Sequence, residues 1–264
     1  MVAKAMTPYD MFKRTEFMKC AKDPVYFIEN YVKIQHPCHG MVNFKLYDYQ
    51  KELIELYAFN DKVISKMPRQ SGKTVCAIGV ILWKAIFDAN SMILVTSFNF
   101  ESSCEMMKKI RIAFDELPDL FHIDILKYSG RSIDFSNGST IISSKLTERA
   151  GHGCTLTMIY FDELAFVKPE IAEQALAALM PALMHYGGKC IITSTPMAND
   201  DMFMKVWNKA AQVDNDDVGN NGFKTYTIDW RDIPRTKSPQ EFEIEMRAIL
   251  GDEAWKREYE CEVV

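Results

Sequence analysis

At 264 residues with 48% hydrophobic content, the chain has enough material for one large α/β domain or two small ones around a sizeable core, which excludes a disordered chain. A net charge of −5 excludes a uniformly basic surface, so any nucleic-acid contact has to use a local patch. The most apolar stretch, Cys76 to Phe87, contains Lys84 and falls well short of the about 20 residues that cross a bilayer, so no membrane partner is expected.

The N-terminus, Met1 to Pro8, lacks the apolar centre of a signal peptide, and export is not expected. From Thr7 to Tyr57 the pattern is helical and rich in aromatic residues, punctuated by Pro24 and Pro37, and predicts an N-terminal helical adaptor over residues 1–60 packed against the core that follows. Within it, His36-Pro37-Cys38-His39 offers ligand-type side chains, but no second cluster completes a tetrahedral zinc site, so it reads as a loop. The seven cysteines are scattered and never form a C-x-x-C pair, as expected of reduced thiols in a cytosol.

Strand and helix patterns then alternate. Lys62 to Met67 is a candidate strand, Gly72 to Asp88 a helix, and Met92 to Thr96 an apolar run suited to a strand buried on both faces. Met106, Met107, Ile110, Ala113, Phe114 and Leu117 recur at helical spacing up to Pro118, as core packing does. Asn137-Gly138 is a turn signal between Arg131–Phe135 and Ser139–Ser144 and predicts a hairpin. Leu156 to Phe161 and Cys190 to Thr193 are buried-strand candidates separated by a helix over Glu170 to Tyr186. Phe223 to Ile228 is a further strand, and Pro239 to Glu260 is predominantly helical. The loop Val213 to Gly222 carries Asp214, Asp216 and Gly219, faintly like a calcium loop. Thr225 stands where the bidentate glutamate should be, and a solvated loop is the better reading. The alternation predicts an α/β core over residues 61–264, a mainly parallel sheet with helices on both faces, a ligand site at the carboxyl ends of the strands and a C-terminal helical subdomain.

Met67-Pro68-Arg69-Gln70-Ser71-Gly72-Lys73-Thr74 lies between a predicted strand and a predicted helix, the setting of a phosphate-binding loop. Backbone N–H groups from Gln70 to Thr74 would close around phosphate oxygens, aided by the flexibility of Gly72 and the field of the helix N-terminus. Lys73 would neutralise the β/γ-phosphates and the Thr74 hydroxyl would ligate magnesium. Met67 stands where the usual pattern has its first glycine, and a strand-to-helix turn of this composition without a nucleotide is the competing reading. The apolar strand Met158-Ile159-Tyr160-Phe161 ends in Asp162-Glu163. Asp162 can hold magnesium through its water shell, and Glu163 can orient and deprotonate the attacking water. Ile191-Ile192-Thr193-Ser194-Thr195-Pro196 brings hydroxyls to the end of another buried strand. In ATPases with a glutamate after the magnesium aspartate, that strand is inserted between the acidic strand and the loop strand. Ser194 and Thr195 could then report the γ-phosphate; a plain turn before Pro196 is the alternative.

Together, M-P-R-Q-S-G-K-T, M-I-Y-F-D-E, I-I-T-S-T-P, the upstream L-Y-D-Y-Q at Leu46 to Gln50 and W-K-R-E-Y-E-C-E at Trp255 to Glu262 resemble, in order, the motor domain of the large terminase subunit of tailed bacteriophages. The resemblance covers roughly residues 40 to 264. It implies a P-loop NTPase of the ASCE/RecA-like class that binds ATP and Mg²⁺ and drives double-stranded viral DNA into a capsid in the infected host's cytoplasm. It also implies a homo-oligomeric ring, a pentamer, on a capsid portal, with a small terminase subunit as a further partner. Carried onto this chain, it assigns Gln50 to the adenine edge, Arg69 to the γ-phosphate and Arg149 to insertion into a neighbouring subunit's site; for both arginines an ordinary surface role is the alternative. Ser194 and Thr195 become the coupling segment. The family continues into a metal-dependent nuclease, and the chain stops at Val264, so no nuclease is expected on it.

A helicase-like or remodelling ATPase shares the same motifs but needs a second motor lobe, for which too few residues follow Ile228. A nucleotide-binding scaffold without turnover has no need of Glu163. Lys108, Lys109 and Arg111 form a basic cluster on one predicted helix, which could meet DNA or simply be solvated.

Overall fold

Two capped helices open the fold. The Thr7 hydroxyl accepts from the Asp10 N–H while the Asp10 carboxylate accepts from the Thr7 N–H, and Pro8 occupies the first turn of α1 (Pro8–Lys22). Asp23 caps α2 (Pro24–Tyr31) through its side chain, accepting from the Tyr26 N–H at 2.8 Å. In this computed structural model, residues 7–36, 38–147, 155–211 and 221–264 are described. The segment after α2 departs from the helical expectation for Thr7 to Tyr57. β1 (Lys33–His36) and β2 (Gly40–Asn43) form an antiparallel hairpin, in which β-branched Ile34 and Val42 pair across the two strands. Helix returns with α3 (Asp48–Phe59).

Alternation then sets in: β3 (Lys62–Lys66), α4 (Lys73–Phe87), β4 (Met92–Ser97), α5 (Phe100–Asp115), β5 (Ile125–Tyr128), β6 (Ser132–Phe135), β7 (Thr140–Lys145), β8 (Met158–Asp162), α6 (Pro169–His185), β9 (Lys189–Ser194), α7 (Met202–Ala211) and β10 (Lys224–Thr227). The predicted helix over Pro239 to Glu260 is broken at Gly251, whose φ of +80° ends α8 (Pro239–Leu250) and turns the chain into α9 (Asp252–Trp255) and a turn of π-helix at Lys256–Glu260. β5 and α7 have no counterpart in the sequence pattern. Leu126, Lys127 and Tyr128 are all exposed, so β5 carries no period-two signal, and α7 is a short helix of ten residues.

The 8-stranded sheet runs β10-β3-β9-β8-β4-β7-β6-β5. Pairing is parallel from β10 through β7 and antiparallel at β6 and β5. β9 is inserted between β3 and β8, as expected, so the ends of these three strands lie side by side. Helices cover both faces. Val63, Ile93, Val95, Met158, Tyr160 and Ile191 face one core, while Ile64, Leu94, Ile159, Phe161 and Ile192 face the other. The first core also contains Cys20, Phe27, Ile28 and Leu53, so α1 to α3 share their interior with the sheet. Trp83 Nε1–H donates to the Cys20 carbonyl at 2.9 Å, and Phe27 meets Phe87 and Phe121 edge-on. Trp230, Trp255 and Tyr259 form a smaller cluster under α8. Among the described residues, no helix is long and apolar enough to cross a membrane. The loop carrying Asp214, Asp216 and Gly219 lies outside the described residues, as does Arg149.

Because Phe27 is fully buried in the core shared by α2 and the sheet, Phe27→Ala should destabilise the whole fold by about 3–5 kcal/mol. Urea denaturation followed at the four tryptophans checks this. A loss below about 1 kcal/mol, or a separate early transition, would mean that the first helices are not part of that core.

Candidate active site

β3 delivers the chain to the carboxyl edge of the sheet, and Met67 still belongs to that ladder: its N–H donates to the Ser194 carbonyl at 3.3 Å and its side chain is fully buried. The position where the common pattern has glycine is therefore a packing position here. The loop's left-handed residues are Gln70, at φ +63°, and Gly72, at +79°. Gly72 opens α4, and a Cβ on it would lie 2.5 Å from Gln50 Nε2, so glycine is required both by conformation and by contact. The close approach arises because α3 braces the loop. Gln50 Nε2 donates to the Ser71 carbonyl at 3.2 Å, and the Tyr49 hydroxyl donates to the same carbonyl at 3.0 Å. Tyr49 is in turn held through its own carbonyl by the Tyr226 hydroxyl.

Lys73, Thr74 and Val75 form the first turn of α4, where backbone N–H groups have no partner within the helix. They line a cavity of about 420 Å³ together with Arg69, Gln70, Ser71, Gly72, Phe98, Glu163 and Phe166. Ser71 Oγ is buried and has no hydrogen-bond partner among the described residues. A second cavity shares Gln70, Gly72 and Val75 with the first and adds Gln50, Tyr47, Tyr49, Phe44 and Pro234. A chamber at a helix N-terminus beside a second, more apolar one has the form of a phosphate-and-base cleft.

β8 brings the carboxylates to this chamber. Lys73 Nζ lies 2.9 Å from Glu163 Oε1. Asp162 Oδ1 accepts from the Thr74 hydroxyl at 3.2 Å, the Tyr160 hydroxyl at 2.8 Å and the Thr193 hydroxyl at 3.2 Å. Glu163 sits at φ +54°, ψ +52°, a left-handed turn unusual for glutamate. That turn directs its carboxylate back over the loop, where Oε2 accepts from the Ser194 hydroxyl at 3.2 Å and the Thr195 N–H at 3.3 Å. Lys73, Thr74, the acidic pair and the Ser194–Thr195 segment thus meet in one place.

Asp162 is only 9% exposed. Burial raises its pKa above the ordinary value, and the negative Glu163 beside it adds to the rise. Burial likewise raises the Tyr160 phenol, so it stays protonated and remains a donor. A hydroxyl and a carboxylate 3.2 Å apart beside a phosphate-type cradle form a donor set for a hard divalent cation, which needs few protein ligands when phosphate and water supply the rest. Among the described residues, no group of three or more His, Cys, Asp or Glu could hold a metal ion by itself. Magnesium therefore fits at Thr74 and Asp162, and fits only together with a bound phosphate.

Two expected roles meet other contacts. Arg69 borders the chamber, yet its Nε donates to Glu258 Oε2 at 2.6 Å and its N–H to the Glu258 carbonyl at 2.9 Å. Gln50 borders the apolar cavity, but its amide is engaged with the Ser71 carbonyl and the Tyr47 N–H. One N–H and one lone pair are left for a base. On α5, Lys108 and Lys109 are exposed while Arg111 pairs with Asp115 and covers Tyr128. Tyr160, Thr193, Phe98, Phe166 and Glu258 were missed by the sequence reading. Tyr160 was accessible to it, since a residue two before Asp162 on a strand shares its face. Phe98 and Phe166 carry no such signal.

A family model described as terminase large subunit, T4likevirus-type, N-terminal, matches residues 65–264. The chain belongs to this family. Solved structures agree at the level of fold. The large terminase ATPase domain of Thermus phage P74-26 is 17% identical, with a TM-score of 0.68, covering 84% of this chain and 95% of that one. The HK97 bacteriophage large terminase is 15% identical, with a TM-score of 0.70, covering 92% and 55%. The large terminase of a thermophilic bacteriophage, solved in complex with ADP, is 12% identical, with a TM-score of 0.63, covering 83% and 54%. The chain thus spans an isolated terminase ATPase domain nearly whole and about half of the two longer terminases.

Two outcomes follow from the geometry. Gly72→Ala places a Cβ in a left-handed residue and against Gln50, and should lower stability by more than about 1 kcal/mol. Adding Gln50→Ala should recover the contact part of the loss, as thermal melts of the single and double variants would reveal; full additivity would contradict the contact. For Asp162, a raised folded pKa favours the neutral acid. Its stabilising contribution is full below the ordinary aspartate value of 3.8 and is lost as pH rises through the folded value. Without ligand at pH 8, Asp162→Asn should therefore melt at or above the parent, with the difference shrinking toward pH 4. A variant that melts well below the parent at pH 8 would contradict this assignment.

Proposed function

We propose that the chain is a magnesium-dependent ATPase whose cycle drives double-stranded viral DNA into a capsid. The observation that carries the reading is the convergence of Lys73, Thr74 and Glu163 on one chamber, with Asp162 hydrogen-bonded to the Thr74 hydroxyl. Membership of the terminase family and the ADP held by a terminase of the same fold support it.

Each residue then has a role. Phosphate oxygens enter at the first turn of α4 and accept from the N–H groups of Gln70 to Thr74, with the Ser71 hydroxyl free to donate as well. Their charge replaces Glu163 as the partner of Lys73. Thr74 and Asp162 would hold Mg²⁺, which supplies charge neutralisation on the phosphates when bound. Released from Lys73, Glu163 accepts the proton of a water as its oxygen bonds to the γ-phosphorus and the bond to the β-phosphate oxygen breaks, giving ADP and phosphate. Ser194 and Thr195 hold Glu163 Oε2 and so link the position of the base to the end of β9. Gln50 and the apolar cavity would receive the adenine. For Arg69 to reach the γ-phosphate it has to leave Glu258. Arg149 from a neighbouring copy is the second source of a cationic group, worth about 10³–10⁵ in rate in related phosphoryl transfers. The assembly proposed from the family is a pentameric ring on the capsid portal in the host cytoplasm, working with a small terminase subunit.

Glu163→Gln should keep nucleotide affinity within a few-fold while lowering phosphate release by about 10²–10⁴. Turnover at the parental rate would overturn the base assignment. Phosphate release with and without duplex DNA tests the motor reading: stimulation by duplex is expected, stimulation by single strands alone would indicate a helicase-like enzyme, and no release under either condition would indicate a scaffold.

A further inference from the structure

Three hydroxyls converge on a single oxygen of Asp162, and the Thr74 hydroxyl is only one of them. The other two come from inside the sheet. Tyr160 lies two residues earlier on β8, on the face Asp162 shares, and is fully buried. Thr193 is the register partner of Asp162 on β9. Their oxygens also lie 2.9 Å apart; with one proton on each, Tyr160 donates to Asp162 while Thr193 donates either to Tyr160 or to Asp162. Beneath them, the Tyr57 hydroxyl meets Ser65 Oγ on β3 at 2.8 Å. A small hydrogen-bonded polar layer thus lies buried in the sheet beside the site.

We propose that Tyr160, assisted by Thr193, is a positioning residue for the divalent cation: its hydroxyl fixes Asp162 through Oδ1 so that Oδ2 stays directed to the ion's water shell. This rests on the magnesium–nucleotide reading of the site and adds to it a residue that never touches ion or nucleotide.

Three features of the geometry support this role. First, no hydrogen bond among the described residues falls on Oδ2, so the carboxylate is anchored on one side only. Second, the anchors differ in permanence. Thr74 stands at the loop and is itself a candidate ion ligand, so its bond to Asp162 is exchangeable. The phenol is fixed by a fully buried ring, and beside Asp162 its other hydrogen-bond neighbour is the Thr193 hydroxyl, itself inside the sheet. Third, an aspartate carboxyl rotates about a soft terminal torsion. With Phe at position 160 that rotation loses its main restraint, and Oδ1 keeps only the Thr193 and Thr74 hydroxyls. Groups that orient a metal-holding carboxylate are commonly worth about 10–100-fold in metal affinity. Tyr160→Phe removes one oxygen and leaves the ring to fill its space.

The test uses the intact chain and a fluorescent non-hydrolysable ATP analogue, titrated in EDTA and across a Mg²⁺ series. For the parent, Mg²⁺ should tighten binding with a measurable midpoint. Tyr160→Phe should still melt cooperatively as a folded chain, keep the EDTA affinity within a few-fold of the parent and move the Mg²⁺ midpoint about 10-fold or more upward. Thr193→Val should move it in the same direction, and serves if the first variant does not fold. An unchanged midpoint in the folded variant overturns the proposal. So does an equal loss of affinity with and without Mg²⁺, the mark of a merely structural hydroxyl. A parent whose affinity ignores Mg²⁺ would instead sink the magnesium reading of the whole site, and the role of Tyr160 with it.

Discussion

The Lys73 ammonium is almost wholly enclosed, with 7% of its side chain exposed, and it meets the Glu163 carboxylate at 2.9 Å. A cation in that setting needs a counter-charge within a few ångströms, because desolvation penalises it otherwise. Glu163 supplies one from a strand end 90 residues away in sequence, so the pair ties α4 to β8 across the inserted β9. The same carboxylate is the candidate base. Without a phosphate it is occupied by Lys73, Ser194 and Thr195 and is not free to take a proton from water. An incoming triphosphate is the natural competitor for Lys73, and its arrival would arm the base at the moment when there is a bond to break.

Everything around that pair follows from where the strands end. β3, β9 and β8 are neighbours, so the loop, the Ser194–Thr195 segment and the acidic pair are fixed within one edge of one sheet. Both faces of that sheet are mainly apolar, and hydrogen-bonded polar side chains gather near this edge at Ser65, Tyr160, Thr193 and Asp162. A rigid, two-sided core is what permits a strained glutamate and a buried aspartate at its rim, since packing elsewhere compensates for both. The loop is braced from the opposite side by Tyr49 and Gln50 on α3 and by Glu258 from the π-turn. Movement of either brace would therefore be felt in the loop.

The central strands β3, β4, β8 and β9 were legible because they are short, apolar runs, whereas β5, exposed along most of its length, was not. The order β3-β9-β8 could be anticipated because a glutamate after the strand-end aspartate points to an inserted strand. The β1–β2 hairpin was not legible: four-residue strands with half-exposed faces carry too little periodicity to outweigh helical neighbours on both sides. Lys73, Thr74, Asp162 and Glu163 could be read from motif and spacing, and the structure brings them together. What spacing cannot give is partnership. That Arg69 is held by Glu258, that Gln50 serves the loop as well as the cavity, and that Tyr160 and Thr193 hold Asp162 are facts of contacts between remote segments. Sequence alone could have flagged only Tyr160, through its shared face with Asp162.

The most direct test of the account is a structure of the chain with Mg²⁺ and a non-hydrolysable ATP analogue. It predicts the β- and γ-phosphates within hydrogen-bonding distance of Lys73 Nζ, the Lys73–Glu163 contact opened, and the ion beside Thr74 and Asp162. A triphosphate bound elsewhere, with the Lys73–Glu163 pair still closed at 2.9 Å, would contradict it.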